Sequence, residues 1–260
     1  MATTALSFRY TANLYFSETK YEILKQSRNR MYAFATLAFP LMFYGLFGLT
    51  NKFASVNGVT FAKYLMASYC VFGMLAAALF GVGVNLAVER GQGWLEVKQA
   101  SPMPPLAMLM AKTLSSACFA LTVSCLLMLL GRFAGGVHMT AFEVVKLLGV
   151  IAAGAIPFGA MGLVFGLIAP STAAPGLINL FYLPMSFCSG LWVPLQVLPE
   201  WVSKIAIWLP AYHLAQLAFR AVGFTMDDIR TSTHWEALAA FTIFFLTLGW
   251  VAYRRANMKA

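Results

Sequence analysis

Six apolar stretches, each long enough to cross a lipid bilayer, occur along this sequence of 260 residues. A helix needs about 20 apolar residues to cross the hydrocarbon core, because each residue advances it by about 1.5 Å. Hydrophobic residues make up 60% of the chain and charged residues only 10%, whereas soluble domains carry about 25% charged residues. We therefore expect an all-α integral membrane protein with six transmembrane helices. The predicted spans are 31–49, 64–88, 106–131, 144–169, 173–192 and 235–253.

Basic residues lie beside the predicted spans rather than in one patch. Six spans place both termini on one side, and with the N-terminus inside, 11 of the 18 Lys and Arg residues are on the inner side. Cytoplasmic segments of membrane proteins carry an excess of Lys and Arg. We therefore expect a multi-pass protein of the cell (inner) membrane with both termini in the cytoplasm. The same distribution argues against nucleic acid as the reason for the net charge of +9.

The residues before the first span follow a different pattern. Apolar residues such as Phe8, Tyr15 and Ile23 recur at near-helical spacing, with Lys and Arg between them. This pattern predicts an amphipathic helix that lies on the inner leaflet in contact with membrane lipid; the alternative is an ordinary polar arm. We accordingly divide the chain into a cytoplasmic interfacial arm, residues 1–30, and a single six-helix transmembrane domain, residues 31–260.

A segment punctuated by glycine and proline separates the fifth and sixth spans. Glycine has no side chain and proline has no N–H, so both interrupt helices. Non-helical backbone at membrane depth is tolerated only where protein or a water-filled cavity covers it. The pattern predicts a re-entrant or interfacial helical hairpin that caps a pathway from outside. The residues assigned to this outer gate are Ser189, Gly190, Pro194, Leu198, Pro199, Trp201, Pro210 and Tyr212.

The loop between the second and third spans combines charges with large apolar side chains and ends in three prolines. Such a composition suits the docking of another protein, because aromatic side chains supply contact area and charges fix the register. The alternative is a solvated turn between two helices. The residues assigned to docking are Glu89, Arg90, Gly93, Trp94, Leu95, Glu96, Ser101 and Pro102.

Three glycines lie on the fourth span. Gly162 and Gly166 form a Gly-x-x-x-Gly pattern, and Gly159 precedes them by one helical turn. Small residues at this spacing let two helices approach closely. They predict a helix-packing face, either within the chain or at the seam of a dimer.

The sequence lacks the motifs that would let this chain supply its own energy or chemistry. No glycine-rich phosphate-binding loop and no metal-binding or nucleophile motif occurs in it. Ionisable residues deep in the spans, which ion-coupled carriers need, are almost absent. We therefore expect no catalytic residue, metal or cofactor in this chain, and an energy source in another protein.

Two of these segments carry a family resemblance. Gly93-Trp94-Leu95-Glu96 with Ser101-Pro102, and Ser189-Gly190 followed by Pro194 and Pro199, resemble the permease subunits of type-2 ABC exporters, similar to small bacterial drug-resistance permeases of the daunorubicin type. The resemblance implies a transmembrane subunit that pairs with a second permease, identical or a paralogue, and forms a pathway for a hydrophobic or amphipathic cargo. It also implies two copies of a separate ABC ATPase subunit, which bind ATP and Mg and dock on the inner loop.

Two other functions remain open on the residues alone. His213, His234, Asp227 and Asp228 lie in the outer segment and are able to form the site of an integral-membrane enzyme that modifies lipids. The chain is equally able to act as a membrane assembly factor without transport.

Overall fold

Helices make up most of the described residues in the structure, a computed structural model that describes residues 8–56, 58–94, 97 and 105–257. Two short strands, β1 (Ser55–Val56) and β2 (Val59–Thr60), form an antiparallel hairpin. The α-helices are α1 Phe8–Arg28, α2 Arg30–Phe43, α3 Phe61–Ala78, α4 Asn85–Gly91, α5 Pro105–Phe133, α6 Ala141–Ile168, α7 Ala174–Cys188, α8 Glu200–Ala206, α9 Pro210–Ala221 and α10 Thr231–Asn257.

Turns of other helical types extend these elements. A π-helical turn at Tyr44–Leu49 continues α2, and another at Leu79–Val84 joins α3 to α4. A single 3₁₀ turn, Leu195–Val197, lies between α7 and α8. Because α3 and α4 are joined without a break, the second predicted span is one continuous helical rod.

Five helical segments are long and apolar enough to cross a membrane in the described part of the chain. They confirm the prediction of a multi-pass helical membrane protein. The predicted fifth span, 173–192, is different: α7 has only 15 residues, or about 22 Å at 1.5 Å per residue, and is therefore not among the five. The five segments are Arg30–Leu49, Phe61–Gly91, Ala107–Phe133, Ala141–Ile168 and Thr231–Arg254.

Helix α3 forms the centre of the bundle. Almost every side chain from Ala62 to Ala78 is buried, and α3 packs against α2, α5, α6 and α9. Helices α2 and α10 lie at the periphery, since their apolar spans are only 22% and 11% buried. Such exposed apolar faces are what a membrane protein presents to lipid or to a partner helix.

The three glycines of the fourth span contact helices of the same chain. A Cβ atom added at Gly166 would lie 2.8 Å from the Gly83 carbonyl oxygen. A Cβ atom added at Gly162 would lie 3.0 Å from the Ala78 carbonyl oxygen. Gly159 instead faces Thr113 on α5. These positions bring the backbone of α6 against the π-helical turn of the second span.

The bundle has two distinct ends. At the arm end, α1 lies along α5, where Glu22 pairs with Lys112, and contacts the end of the second span through the pair of Lys25 with Glu89. At the cap end, Tyr64 at the start of α3 donates a hydrogen bond to the Gly190 carbonyl, beside the short helices α8 and α9. We use the names arm end and cap end below.

Candidate functional site

A groove of about 550 Å³ runs along the face formed by α2, the α3–α4 rod and α7. On the rod, the lining residues Phe72, Ala76, Phe80 and Val84 recur every four residues, so they lie on one helix face. From Phe72 to Asn85 this stripe covers about 20 Å, roughly two thirds of the hydrocarbon core. The whole lining is Asn29, Met31, Tyr32, Ala35, Thr36, Phe39, Phe43, Phe72, Ala76, Phe80, Val84, Asn85, Asn179, Tyr182, Leu183 and Trp192, and none of these side chains is charged.

Aromatic rings close the groove at one side. The Trp192 ring centroid lies 5.3 Å from that of Phe43 and 5.7 Å from that of Phe72, and Phe72 stacks on Tyr182 at 4.9 Å. Aromatic pairs at such separations stabilise each other beyond their buried area. The buried Trp192 Nε1 donor has no partner among the described residues. Trp192 therefore joins the loop after α7 to the groove wall and leaves one hydrogen-bond donor unused.

Three carboxamides line the groove at the arm end. Asn29 caps α2, where its Oδ1 accepts a hydrogen bond from the Tyr32 N–H at 3.2 Å. The Asn85 amide donates to the Gly81 carbonyl at 2.9 Å. Asn179 lies on the second turn of α7. Each amide keeps at least one polar atom that these bonds do not use.

A buried charge cluster holds the arm end together. The Lys112 side chain is fully buried, with Nζ 3.0 Å from Glu22 Oε1 and 2.8 Å from Glu89 Oε1. Lys25 also pairs with Glu89. Two lysines thus balance two glutamates, as buried charges require. The cluster ties α1, α4 and α5 to one another.

Arg90 makes a second connection beside this cluster. Its guanidinium donates hydrogen bonds to the carbonyls of Leu167 and Ala169, the latter at 2.6 Å. These carbonyls lie at the end of α6, where a helix leaves acceptors unpaired and favours a positive charge. Glu89 and Arg90 together connect the end of the second span to three other helices.

The remaining loop residues divide into two groups. Gly93 is half-buried, and the Trp94 side chain is 55% exposed just beyond the end of α4. Leu95, Glu96, Ser101 and Pro102 lie outside the described residues. The structure thus uses Glu89 and Arg90 for contacts within the chain, whereas the Trp94 side chain is exposed.

The cap end is shaped by Gly190 and the prolines. Gly190 has φ +76°, and a Cβ atom there would lie 2.9 Å from Leu195 Cγ, so a larger residue is strained in both respects. Pro194 precedes the 3₁₀ turn, Pro199 precedes α8, and Pro210 begins α9. Ser189 and Tyr212 are buried, Leu198 is half-buried, and Trp201 is exposed.

A polar cluster lies between α9, α10 and the segment that joins them. Asp227 accepts hydrogen bonds from the Tyr212 hydroxyl at 2.5 Å and from the Arg220 guanidinium. His234 is fully buried, with Nε2 3.3 Å from Asp227 Oδ2 and Nδ1 2.9 Å from His213 Nδ1. Burial raises the pKa of Tyr212, and the Asp227 carboxylate raises it further.

The hydrogen-bond directions in this cluster follow from one carbonyl. His213 Nε2 lies 3.0 Å from the Ile207 carbonyl oxygen, which only accepts, so Nε2 carries a proton. The facing Nδ1 atom of neutral His213 then accepts from the Nδ1–H of His234. Protonation of both rings would place two N–H groups face to face. Burial disfavours that state, because it lowers the pKa of His213.

This arrangement differs from an active site in two respects. Both Asp227 oxygens are engaged by neighbouring side chains, and Asp228, the fourth residue of the predicted group, is exposed. No group of three or more His, Cys, Asp or Glu side chains able to hold a metal ion occurs among the described residues. The cluster fixes α9 against α10.

Comparison with known proteins identifies the family. The sequence profile described as ABC-2 type transporter matches residues 13–224. The chain belongs to the ABC-2 type transporter family. It is also 28% identical over 202 residues to the "Putative transport permease YvfS" of Bacillus subtilis (strain 168), an alignment that covers 77% of this chain and 82% of that protein.

Membership of the ABC-2 family agrees with the resemblance found in the two sequence motifs. The matched region contains the groove, the arm-end charge cluster and most of the cap, including Gly190 and Trp192. A transport subunit therefore fits the chain better than an enzyme. The family match does not say which residues of this chain act in transport. The groove and the two ends of the bundle form the candidate site.

Several residues of this site escaped prediction from the sequence. Glu22 and Lys112 are 90 positions apart, so no local pattern reveals their contact. Trp192 lies inside the predicted cap motif, but its packing on Phe43 depends on how α2 is rotated. Asn179, an isolated asparagine in the predicted fifth span, was not assigned to any site from the sequence.

Proposed function

We propose that this chain is the transmembrane subunit of an ABC exporter, in which the groove carries a hydrophobic or amphipathic cargo. The observation behind the proposal is the uncharged, aromatic groove of about 550 Å³, a size and composition typical of sites for apolar ligands. The groove opens along one side of a single chain. A second permease subunit, identical or a paralogue, is expected to cover it and complete the pathway.

The proposed topology has six crossings with both termini in the cytoplasm of the inner membrane. Helix α7 then serves as a short crossing of about 22 Å, extended by the turn at Ser189 and Gly190. Helices α8 and α9 form the re-entrant or interfacial hairpin on the outer side. This arrangement is supported by the excess of Lys and Arg near the arm end and by the nearly complete burial of α9.

In the proposed mechanism, two copies of a separate ABC ATPase bind ATP and Mg and dock at the arm end. Trp94 supplies an exposed aromatic contact next to the end of α4. A displacement there reaches α1 and α5 through Glu89 and Lys112, and α6 through Arg90. Nucleotide drives the change because it binds the two conformations of the assembly with different affinities.

The cap end is proposed to act as the outer gate. Trp192 contacts the groove through Phe43 and Phe72, and Gly190 fixes the turn that carries it. Movement of α8 and α9 would withdraw Trp192 from the groove and release cargo outward. The proposed gate thus consists of the predicted cap residues and Trp192, which lies within the sequence motif but was not among the residues assigned to the gate.

One pair of variants tests the docking surface. Trp94 and Trp201 are similarly exposed, at 55% and 59%, but lie at opposite ends. Trp94→Ala should abolish co-purification with the cognate ABC ATPase and its stimulation in lipid nanodiscs, whereas Trp201→Ala should keep both. Full ATPase binding by Trp94→Ala, or ATP hydrolysis by the purified chain alone, would contradict the proposal.

A further inference from the structure

We propose that the arm end of the groove is a binding subsite for the uncharged, hydrogen-bonding head group of an amphiphile, formed by Asn29, Asn85 and Asn179. The inference rests on the proposed function, since it assigns a substrate class to the same groove. In this proposal the groove binds the head group of the cargo as well as its apolar body.

The chemistry of the carboxamide favours a neutral head. Each amide presents both an acceptor oxygen and a donor NH₂ group. Hydroxyl, ether and amide groups of a ligand can pair with both. The Asn29 oxygen is engaged by Tyr32, which leaves its NH₂ group, whereas the Asn85 oxygen remains available because its NH₂ group bonds Gly81. The three amides therefore offer both donors and acceptors to a ligand in the groove.

The absence of charge in the lining disfavours an ionic head. None of the side chains that line the groove in the described part of the chain is ionisable at neutral pH. An ammonium or carboxylate group moved from water into this apolar space would lose hydration without gaining a counter-ion. Arg28 and Arg30 flank Asn29 in sequence, but their side chains are exposed and outside the lining.

The rest of the groove suits the body of the same molecule. Phe39 and Phe80 supply apolar walls between the two ends. The ligand class is thus an amphiphile with a polyhydroxyl or amide head, an apolar body and no net charge.

Three matched probes test this assignment. Each carries the same alkyl chain with a nitrobenzoxadiazole fluorophore at its end, and the heads are glucoside, trimethylammonium and carboxylate. Binding is measured by fluorescence with the full chain in phosphatidylcholine nanodiscs, after subtraction of empty nanodiscs. The glucoside is expected to bind at least tenfold more tightly than either charged probe.

Substitutions at the amides separate the head group from the tail. Asn85→Leu with Asn179→Leu should weaken glucoside binding about tenfold, since two neutral hydrogen bonds are lost, and should leave the charged probes unchanged. The control is Asn51→Leu: the Asn51 amide also bonds a carbonyl, that of Phe47, but does not line the groove. It should leave glucoside binding as in the wild type.

A charge-switch variant keeps the test independent of folding defects. Asn179 is exposed, so Asn179→Asp should fold normally, and it should reverse the preference from the glucoside to the trimethylammonium probe. Equal binding of all three heads, or unchanged glucoside binding in the Asn85/Asn179 variant, would overturn the inference. Selective glucoside binding without ATP-driven export would instead leave the subsite intact and contradict the proposed function.

Discussion

The two ends of the bundle hold their helices together with different chemistry. At the arm end, Lys112 and Lys25 form ion pairs with Glu22 and Glu89, and no histidine belongs to this cluster. At the cap end, the contact between His213 and His234 needs one ring to accept a hydrogen bond. The arm-end cluster is therefore held by ion pairs, whereas the cap-end cluster includes a contact that depends on histidine protonation.

This difference matches the roles proposed for the two ends. A part of the molecule that transmits displacement from an ATPase must stay rigidly connected through the whole cycle. A gate must open, so its contacts have to be separable at a modest free-energy cost. Three predictions test the contrast, in order of decreasing effect.

The largest effect is expected at Lys112. Lys112→Leu leaves Glu22 and Glu89 buried without their common partner, and breaking a buried ion pair in this way costs about 3–5 kcal/mol. The measurement is the thermal unfolding of the full chain in nanodiscs. Lys25→Leu is the control: the Lys25 side chain is 47% exposed, so its loss should cost less than about 1 kcal/mol. Similar unfolding of the two variants would mean that the cluster does not hold the arm.

A smaller effect is expected at Asp227. Asp227→Asn removes the charge that pairs with Arg220 and should lower the free energy of unfolding by about 1–3 kcal/mol. The neighbouring carboxylate offers a matched control, since Asp228 is exposed, and Asp228→Asn should change stability by less than about 0.5 kcal/mol. If both substitutions were equally mild, the cap-end cluster would not fix α9 against α10.

The smallest effect is expected from pH. Burial lowers the pKa of His213 below its ordinary value of 6.5, so the unfolded chain takes up a proton at a pH where the folded chain stays neutral. The free energy of unfolding should therefore fall as the pH drops below about 6.5. Unfolding at pH 7.5 and pH 5.5 is compared for the wild type and for His213→Gln, which should lose less stability. An equal loss in both proteins would remove His213 as the sensitive group.

The sequence was most informative where local chemistry decides the structure. Long apolar runs gave the helices, because a chain in lipid must satisfy its backbone hydrogen bonds internally. Gly190 and Pro199 marked the end of α7 and the start of α8. The length of α7 was overestimated, since Leu191 and Trp192 continue the apolar run although the helix has already ended at Cys188.

The site itself depended on contacts that no local pattern encodes. Glu89 was predicted to couple to an external partner, which stays a prediction, and its contact with Lys112, 23 positions away, was not predicted. The groove exists because Phe43, Phe72 and Trp192 from three segments face one another. Whether these side chains contact one another depends on the rotation of each helix about its long axis. That rotation cannot be predicted from the sequence of a span that has apolar residues on all sides.

We propose that nucleotide bound to a separate ATPase moves the cap of this chain, and one labelling experiment addresses this coupling. A cysteine replaces Gln196 in a background lacking Cys70, Cys118, Cys125 and Cys188, and the chain is assembled with its ABC ATPase in sealed vesicles. A membrane-impermeant thiol reagent is applied to the side opposite the ATPase. We expect labelling from that side, at a rate that changes when ATP and vanadate trap the ATPase. Labelling only after the vesicles are opened, or a rate unaffected by trapping, would contradict it.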